Sequence, residues 1–490
     1  MNQQTPTFAV VGAVNAGKTS VVATLAEDRK VKVSDEPGTT KSNRASRFWL
    51  RDLFVFWDTP GFQNAGDALA RLDAAKRVAD PFEEFRQFIE SERENKKFKN
   101  ECELLTTILE GAFIIYVADA SEEPLPRHID EMEILRLTGA PHLAIINRSD
   151  EDNPEALKLW RARLNQFFGE PSEFNAHYAT FADRIELLQT LSNRKKSWRE
   201  PLLQAIKELE MDWRDRIGEC ATIIVELLEE CLTHSEAEPA ADKWAKCERQ
   251  TEDLKRKFRE VICSRELGAH RKLAERFRHS IDDLALGDGL FESGLFSNET
   301  WKMLGMNAAW LTAIMAGSGF AAGGIIDAHT GGASWGVGAA IGTAVGFTSG
   351  VVMGKRQPKL DVKMPFFGKK RQVAGSEIRV GPYTAINFPW ILIDRAVATF
   401  VHVANRAHAR RDPLKIDAQA MKQVTDDLKI STDQWPKPEL ITCERLFRRI
   451  RKRTATTKHF EKLHKVVADH LLNTLSLRMP VSRTQLTVSQ

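Results

Sequence analysis

Residues 7–19 read TFAVVGAVNAGKT, and this stretch decides the fold of the first part of the chain. Its first five residues, TFAVV, form a short, apolar, β-branched run that is typical of a buried parallel strand. The run leads directly into GAVNAGKT, which matches the pattern G-x-x-x-x-G-K-[ST] in full. In that pattern the loop amides and the first turn of the following helix bind phosphate groups. The sequence therefore predicts a nucleotide site formed by Gly12, Asn15, Ala16, Gly17, Lys18, Thr19 and Ser20.

Catalytic and metal-binding roles are expected from this loop and from two later motifs. Lys18 is predicted to bridge the β- and γ-phosphates, and the Thr19 hydroxyl is predicted to bind Mg²⁺. The motif DTPG, residues 58–61, follows two strand-like runs within residues 47–57. In this motif Asp58 is predicted to bind in the Mg²⁺ shell, and the Gly61 amide is predicted to bond the γ-phosphate. Residues 36–41, EPGTTK, supply a threonine that closes over Mg²⁺ in a switch loop.

Recognition of the base is predicted where the fourth strand-like run, residues 142–146, ends. The next four residues, NRSD, resemble the N-K-x-D base-recognition motif of GTPases, which implies that Asn147 and Asp150 receive a guanine base. Arg148 stands where lysine is usual, and its side chain can still lie over a purine face. Asp150 accepts hydrogen bonds that adenine cannot supply, so the pattern favours GTP and GDP over ATP. Residues 174–180 are predicted to provide a last strand and a backbone N–H for guanine O6, with Ala179 as the donor.

Taken together, GAVNAGKTS, PGTT, DTPG and NRSD resemble the Era and TrmE group of bacterial GTPases, and the similarity extends over the predicted GTPase domain. The resemblance implies a P-loop GTPase fold, places the switch threonine at Thr40 rather than Thr39, and implies binding of GTP or GDP with Mg²⁺. Phe62 follows DTPG where other GTPases carry a water-orienting glutamine, which implies slow hydrolysis. In some members the loop asparagine, here Asn15, holds K⁺; the alternative is an asparagine that bonds only its own loop.

Composition and cysteine usage are those of a folded chain in a reducing compartment. Charged residues make up 28% and hydrophobic residues 42%, and the net charge is +3. Six cysteines show no C-x-x-C pair, and the opening stretch MNQQTPTFAVVGAVNAGKTS shows no secretory signal, so a cytoplasmic location is expected.

The last part of the chain is basic: from residue 355 onward there are roughly 27 Lys and Arg and roughly 12 Asp and Glu. This basic part suits an anionic partner, or it is a solvated helical face.

The fold class predicted for the whole chain is α/β, with a GTPase domain followed by a mainly α-helical region. The expected domains are residues 1–195 with a charged helical insertion at about 67–109, a helical stalk at 196–300, a glycine-rich apolar hairpin at 301–356 and a basic helical region at 357–490. The insertion follows the DTPG motif, which is expected to sense the nucleotide. It therefore either transmits the nucleotide state to a partner or to the C-terminal region, or is a solvent-exposed addition without such a role. His270 and His279 are predicted at the surface.

Residues 304–353 contain one charged residue, Asp327, and divide into two apolar halves of about 22 residues, enough to cross a bilayer. Glycines recur at every fourth position from Gly338 to Gly354, as in closely packed membrane helices. Lys355, Arg356, Lys359 and Lys363 follow, as expected of a cytoplasmic flank. The interpretation is a glycine-zipper hairpin that associates with the inner face of the cell membrane; the alternative is a hairpin buried among soluble helices.

Two further segments bear on partners. Residues 388–402, FPWILIDRAVATFVH, are apolar enough for a core or interfacial helix, and residues 445–453, RLFRRIRKR, form a basic helix for anionic lipid or for RNA phosphates.

The leading hypothesis is a membrane-associated GTPase switch with lipid or membrane-protein partners. The alternatives are a soluble GTPase acting on RNA or ribosome assembly, and a GTP-gated protein scaffold. A homodimer through the GTPase domain is a further partner hypothesis.

Overall fold

The computed structural model describes most of the first 213 residues and several parts of the remainder. Its described residues are 6–13, 15–27, 46–50, 54–59, 61–74, 81–148, 153–241, 244–279, 295–296, 360, 362–363, 377–407, 432 and 435–476. The chain divides into two compact units, one comprising residues 1–213 and 404–411 and the other residues 214–403 and 412–490. The glycine-rich segment 304–353, including the predicted hairpin, lies outside the described residues.

The first unit is built on a sheet of six of the described strands. They are β1 (Thr7–Val11), β2 (Ser46–Leu50), β3 (Phe54–Asp58), β4 (Phe113–Asp119), β5 (His142–Asn147) and β6 (Ser172–Phe174), in the order β2-β3-β1-β4-β5-β6. Within this sheet only the pairing of β2 with β3 is antiparallel. Helices cover both faces, which is why β1, β4 and β5 are almost continuously apolar. The five parallel strands with flanking helices are the fold of a P-loop GTPase.

Helices of the first unit lie on both sides of this sheet. They are α1 (Lys18–Ala26), α2 (Ala65–Ala74), α3 (Pro81–Glu92), α4 (Lys99–Leu109), α5 (Pro126–Leu137), α6 (Pro154–Phe168), α7 (Phe181–Arg194) and the first part of α8 (Arg199–Thr233). Successive residues of β1 point to opposite faces. Phe8 and Val10 therefore enter one core with α1 and α7, while Ala9 and Val11 enter the other with α2, α4 and α5.

Residues around the expected domain boundary at 195–196 are packed into the first unit. They form a 3₁₀ turn, Lys196–Trp198, whose Trp198 ring lies 5.5 Å from the ring of Phe8 and 6.2 Å from that of Phe113. The two compact units divide later, between Trp213 and Arg214 within α8. The four-part domain scheme proposed from the sequence stays a prediction.

The expected helical insertion corresponds to α2, α3 and α4, which all lie between β3 and β4. These helices are amphipathic, and their apolar faces meet in one core that includes Leu72, Phe85, Phe98 and Leu105. The Phe88 and Phe98 rings are in edge contact at 5.6 Å. Because this core is continuous with the sheet-facing side of α5, the insertion is part of the packed domain rather than a solvated addition.

The described part of the second unit combines helices with a small sheet. Its helices are the remainder of α8, α9 (Trp244–Arg276), α10 (Phe388–Ala404), α11 (Lys437–Arg451) and α12 (Thr457–Ser476). Between and beside them β7 (Glu236–Pro239), β8 (Val362–Lys363) and β9 (Glu377–Val380) form an antiparallel sheet in the order β7-β9-β8. Sequence analysis predicted a helix break at residues 236–241 but no strand there. None of the helices in the described ranges is both long and apolar enough to span a bilayer.

A buried polar cluster joins α9 and α10. Arg395 and Glu266 are 2% and 1% exposed, and the guanidinium donates to both carboxylate oxygens, Nε to Oε1 at 2.5 Å and Nη2 to Oε2 at 3.2 Å. His270, one turn after Glu266, is also buried, and its Nδ1 lies 3.4 Å from the Thr399 hydroxyl. Burial lowers the pKa of His270 to about 4; the charge of Glu266 opposes this lowering, and the smaller effect of Arg395 adds to the lowering.

The surface positions predicted for His270 and His279 are therefore wrong. His279 is 3% exposed, and its Nε2 lies 3.2 Å from the carbonyl oxygen of Val403. Both histidines are covered by α10, which is distant from them in sequence. Their burial thus depends on long-range packing that the local pattern of α9 does not indicate.

The basic helix α11 keeps its apolar face inside the second unit. Leu446, Phe447 and Ile450 are at most 4% exposed, and the Phe447 ring meets the ring of Trp390 at 5.2 Å. These side chains consequently do not face a lipid surface in this structure. Arg445 and Arg449 lie on the opposite, exposed face. α10 is buried along its length, which makes it a core helix.

Candidate nucleotide site

The predicted phosphate loop connects β1 to α1 at the carboxyl edge of the sheet. Asn15 and Gly17 have φ angles of 68° and 81°, both in the left-handed region, and α1 begins at Lys18. Glycine adopts this conformation without strain, and asparagine tolerates it better than most residues. The side chain of Asn15 is exposed, whereas Ala16 and Ser20 are buried. The two left-handed residues thus turn the chain from β1 into α1.

Two glycines of the loop lie where a Cβ atom would meet close neighbours. A Cβ atom on Gly12 would lie 2.1 Å from the carbonyl oxygen of Val117 in β4. A Cβ atom on Gly17 would lie 2.1 Å from Nδ2 of Asn147. Alanine at position 12 would displace the loop, because the Val117 atom is main chain. Alanine at position 17 would displace the Asn147 side chain and would be strained at a positive φ. The loop is therefore held against β4 and against the end of β5.

Lys18 lies across the loop that it follows. Its Nζ donates to the carbonyl oxygens of Gly12 and Ala13 at 2.9 and 2.7 Å, and the residue is 8% exposed. Gly61, from the DTPG motif, has a φ of 73°, and a Cβ there would lie 2.7 Å from Gly12 O and 3.6 Å from Lys18 Nζ. The backbone of the DTPG motif thus packs directly against the phosphate loop beside the lysine amine.

The other predicted metal residues are partly described. Asp58 is the last residue of β3 and lies opposite Val10 in the parallel register with β1, two residues before the loop. The Thr59 hydroxyl donates to Val10 O at 2.7 Å and is buried, which joins the two strand ends. Thr19 is the second residue of α1. Mg²⁺ prefers oxygen ligands, so the hydroxyl of Thr19 and the carboxylate of Asp58 fit that ion. Thr40 lies outside the described residues.

Asn147 joins the phosphate loop to the loop after β6. It is 9% exposed, its Nδ2 donates to Ala16 O at 3.3 Å, and its Oδ1 accepts from Ala176 N at 3.1 Å. The Thr24 hydroxyl of α1 donates to Ala176 O at 2.8 Å, which holds the same loop from the other side. Asn147 therefore bridges the phosphate loop and the loop after β6.

Replacing Asn147 with alanine should loosen both loops. The change leaves Ala16 O and Ala176 N without partners, and an unsatisfied buried group costs about 1–3 kcal/mol. We expect Asn147→Ala to weaken GDP binding by about tenfold or more, because about 1.4 kcal/mol corresponds to a factor of ten. Titration calorimetry measures this, with Asn153→Ala at the start of α6 as the control. Equal affinities for wild type and Asn147→Ala would contradict the bridging role.

The loop after β6 differs from expectation at one residue. Ala179, predicted as a donor to guanine O6, already donates its N–H to Asn175 O at 2.7 Å within a turn. The Asn175 side chain accepts from His177 N and Tyr178 N, which closes that turn. The structure places the Ala176 amide, not the Ala179 amide, beside Asn147. The N–H groups of Ala176 and Ala179 are therefore both already bonded within the protein.

Arg148 contacts an acid that sequence analysis did not consider. Its Nη1 donates to Glu173 Oε2 at 2.6 Å, and Arg161 donates to the other oxygen of the same carboxylate. Burial raises the pKa of Glu173, but the hydrogen bonds from Arg161 and Arg148 outweigh it and the pKa is lowered. Ser149 and Asp150, the remainder of the predicted base motif, lie outside the described residues.

A buried carboxyl group lies behind the phosphate loop. Glu131 on α5 is 2% exposed and accepts from the Tyr116 hydroxyl at 3.1 Å. Burial raises the pKa of Glu131 to about 7, against smaller lowering effects of the Tyr116 hydrogen bond and of the charge on Lys18. Near neutral pH this carboxyl is therefore partly protonated.

Glu131 should make the stability of the nucleotide-free protein fall as pH rises. Its pKa is about 7 when folded and about 4.5 when unfolded, so the folded state binds more protons between these values. Unfolding free energy should drop by about 3 kcal/mol from pH 4.5 to pH 8 on this account. In Glu131→Gln this contribution should vanish, as measured by urea unfolding at several pH values. The exposed Glu123→Gln is the control, and an unchanged pH slope in Glu131→Gln would refute the assignment.

Comparisons with known proteins agree with this geometry. A family model described as "50S ribosome-binding GTPase" matches residues 7–148. GTPase Der of Syntrophotalea carbinolica is 28% identical over 149 residues, which are 30% of this chain and 28% of that protein. GTPase Der of Thermomicrobium roseum is 27% identical over 187 residues, 37% of this chain and 35% of that protein. The chain thus spans about a third of the length of these relatives. Residues 7–148 form a P-loop GTPase domain, and such domains bind guanine nucleotides.

A second family model accounts for the remainder. It is described as "Domain of unknown function (DUF3482)" and matches residues 161–475. Its first residues lie within α6, so the matched region includes β6, the Ala176 loop and α7 of the first unit. The region therefore completes the sheet of the nucleotide domain as well as supplying the second unit. Because this match covers more than half of the chain, the protein belongs to the DUF3482 family, whose domain here follows a P-loop GTPase domain.

Proposed function

We propose that this protein is a molecular switch that binds GTP and GDP with Mg²⁺ and hydrolyses GTP slowly. The observation that carries the proposal is the meeting of three motifs at one loop. Lys18 lies across the loop, Gly61 packs beside its amine, and Asn147 binds the loop carbonyl at Ala16. These residues come from the ends of β1, β3 and β5, as expected for a ligand at the carboxyl edge of a parallel sheet.

Individual roles follow from position and chemistry. Lys18 would neutralise phosphate charge, while Thr19, Asp58 and Thr40 would hold Mg²⁺, which supplies further charge neutralisation when bound. Asn147, Arg148 and Asp150 would receive the guanine base at the ends of β5 and β6. The amides from Gly12 to Ser20 would bind the phosphates.

Slow hydrolysis is proposed from the environment of Phe62. This residue occupies the position that follows DTPG, it is 7% exposed, and it packs in the core of the helical insertion. The side chain at this position therefore cannot orient water.

The proposed K⁺ site at Asn15 draws on the resemblance to the Era and TrmE group and on the exposed position of that side chain. Replacing K⁺ by Na⁺ in the assay tests it, with slower phosphate release expected in Na⁺. Equal rates of release with the two ions would contradict the K⁺ site.

Phosphate release from GTP and from ATP tests the proposed activity directly. The full chain in Mg²⁺ should release phosphate from GTP and not from ATP, and EDTA should abolish the release. Release at equal rates from both nucleotides, or from neither, would contradict the proposal. Purification over two columns with the activity following the protein excludes a contaminating phosphatase.

Membrane association at the cytoplasmic face is proposed from the sequence of residues 304–353 alone. Flotation with anionic vesicles tests it, comparing the full chain with a chain lacking 304–353. The proposal predicts that only the full chain floats. Flotation of neither would contradict it.

A second candidate is an RNA or ribosomal partner, in the sense of the name carried by the family model for residues 7–148. It is favoured by exposed cations on α11 and in the turn that follows it, at Arg445, Arg449, Lys452 and Arg453. Binding to RNA through such residues should fall steeply with salt. Binding that does not change between about 50 and 200 mM salt, or no binding at all, would exclude this candidate.

A further inference from the structure

The segment after Gly61 is held by the helices that follow it rather than by the sheet. We propose that Glu101, on α4, is a positioning residue for GTP hydrolysis: it fixes this segment and thereby sets where Gly61 lies beside the phosphate loop. The inference rests on the proposed GTPase function. It assigns to α3 and α4 a role that neither the sequence motifs nor the family comparisons give them.

The first observation is a direct bond between the insertion and the segment. Glu101 is fully buried, and its Oε1 accepts from Gln63 N at 2.7 Å and from Asn64 N at 2.6 Å. Hydrogen bonds from backbone N–H to a carboxylate are charge-assisted, which makes them shorter and stronger than neutral ones. The two amides belong to the second and third residues after Gly61.

The second observation is the packing of the residue that precedes these two amides. Phe62 is 7% exposed and belongs to the same core as Phe85 of α3 and Leu105 of α4. Asn64 adds a bond from its Nδ2 to Lys97 O at 2.7 Å. The segment from 62 to 64 is thus attached to the insertion by an apolar side chain, two main-chain amides and one side-chain amide.

The third observation is the short path from this attachment to the nucleotide site. A Cβ on Gly61 would lie 3.6 Å from Lys18 Nζ, so the backbone at Gly61 is already at the phosphate loop. One residue, Phe62, separates Gly61 from the first amide that Glu101 holds. A shift of Gln63 by an ångström must therefore move the Gly61 amide, and a misplacement of that size can cost about 100-fold in rate.

The second oxygen of Glu101 argues against simple helix capping. Oε2 is buried and has no hydrogen-bond partner among the described residues, while Oε1 takes both amides. A buried acceptor without a partner is costly, so capping α2 alone would favour sharing the two bonds between both oxygens.

Nucleotide kinetics of full-length variants test the proposal. Glu101→Ala should leave GDP affinity within about twofold of wild type, lower kcat for GTP about tenfold or more, and reduce the affinity for a non-hydrolysable GTP analogue relative to GDP. Glu101→Gln keeps one acceptor oxygen and should recover part of kcat. Glu103→Ala, on the same helix, should match wild type.

An unchanged kcat in Glu101→Ala, or an equal loss of GDP and GTP-analogue affinity, would overturn the positioning role. A wild-type protein that releases no phosphate from GTP would instead refute the proposed function, and the inference with it. Amide exchange in the wild-type protein provides a test that needs no variant. The amides of Gln63 and Asn64 should exchange at rates that differ at least about tenfold between the GDP and GTP-analogue states. Identical exchange in both states would also overturn the proposal.

Discussion

Replacing Lys18 with alanine should abolish measurable GTP turnover and weaken GDP binding by between about 30-fold and several thousand-fold. The amine is 8% exposed and enclosed by loop carbonyls, so its charge acts in a site from which water is largely excluded. Removing one partner of a buried, hydrogen-bonded charge pair costs about 2–5 kcal/mol. Conversion to affinity at about 1.4 kcal/mol per factor of ten gives the range above.

The measurement is titration calorimetry with GDP in Mg²⁺, together with phosphate release from GTP. Lys158→Ala, an exposed lysine on α6, is the matched control and should bind as wild type does. Thermal unfolding without nucleotide shows whether Lys18→Ala is folded. A folded Lys18→Ala protein that binds GDP as tightly as wild type would contradict the placement of the phosphates at this loop.

The second large effect is expected in the second unit, at the buried pair of Glu266 and Arg395. Arg395→Met should lower the unfolding free energy by about 3–5 kcal/mol, because it leaves the Glu266 carboxylate buried without its cation. Replacing both residues with apolar ones of similar volume should recover most of that loss. The double variant Glu266→Leu with Arg395→Met therefore distinguishes an uncompensated charge from lost packing.

Urea unfolding of the three proteins measures these differences. The control is Arg276→Met, which removes an ion pair with Glu219 at 3.2 Å in which both side chains are about half exposed. A surface pair of that kind contributes at most about 1 kcal/mol. A loss below about 1 kcal/mol in Arg395→Met, or a double variant less stable than Arg395→Met, would show that the pair does not act as described.

Most of the first unit could be predicted from the sequence because its signals are local. The strands β1, β4 and β5 are continuous apolar runs, and each of β1 and β5 ends where a motif begins. The glycine at position 17 is favoured because the backbone there is left-handed, with a φ of 81°. Such requirements act over a few residues and leave a readable pattern.

The features that sequence analysis missed depend on contacts between distant segments. β7 reads EAEP, a charged sequence with no strand signal, and it pairs with β9 from a much later part of the chain. His270 is buried because α10 covers it, and Glu101 is buried because the segment after Gly61 folds onto α4. The turn centred on Asn175, in which the Ala179 N–H is bonded, has no strong sequence signal either. The local pattern of apolar and polar residues does not indicate these long-range contacts.

Competition between guanine and adenine nucleotides tests the central claim most directly. A fluorescent GDP analogue bound to the full chain in Mg²⁺ is displaced with unlabelled GDP, GTP and ADP in parallel. The account predicts displacement by GDP and GTP, with ADP at least about a hundredfold weaker, because a site built to hydrogen-bond one base leaves buried groups unpaired with the other. Equal displacement by ADP, or no binding of the guanine analogue at all, would contradict it.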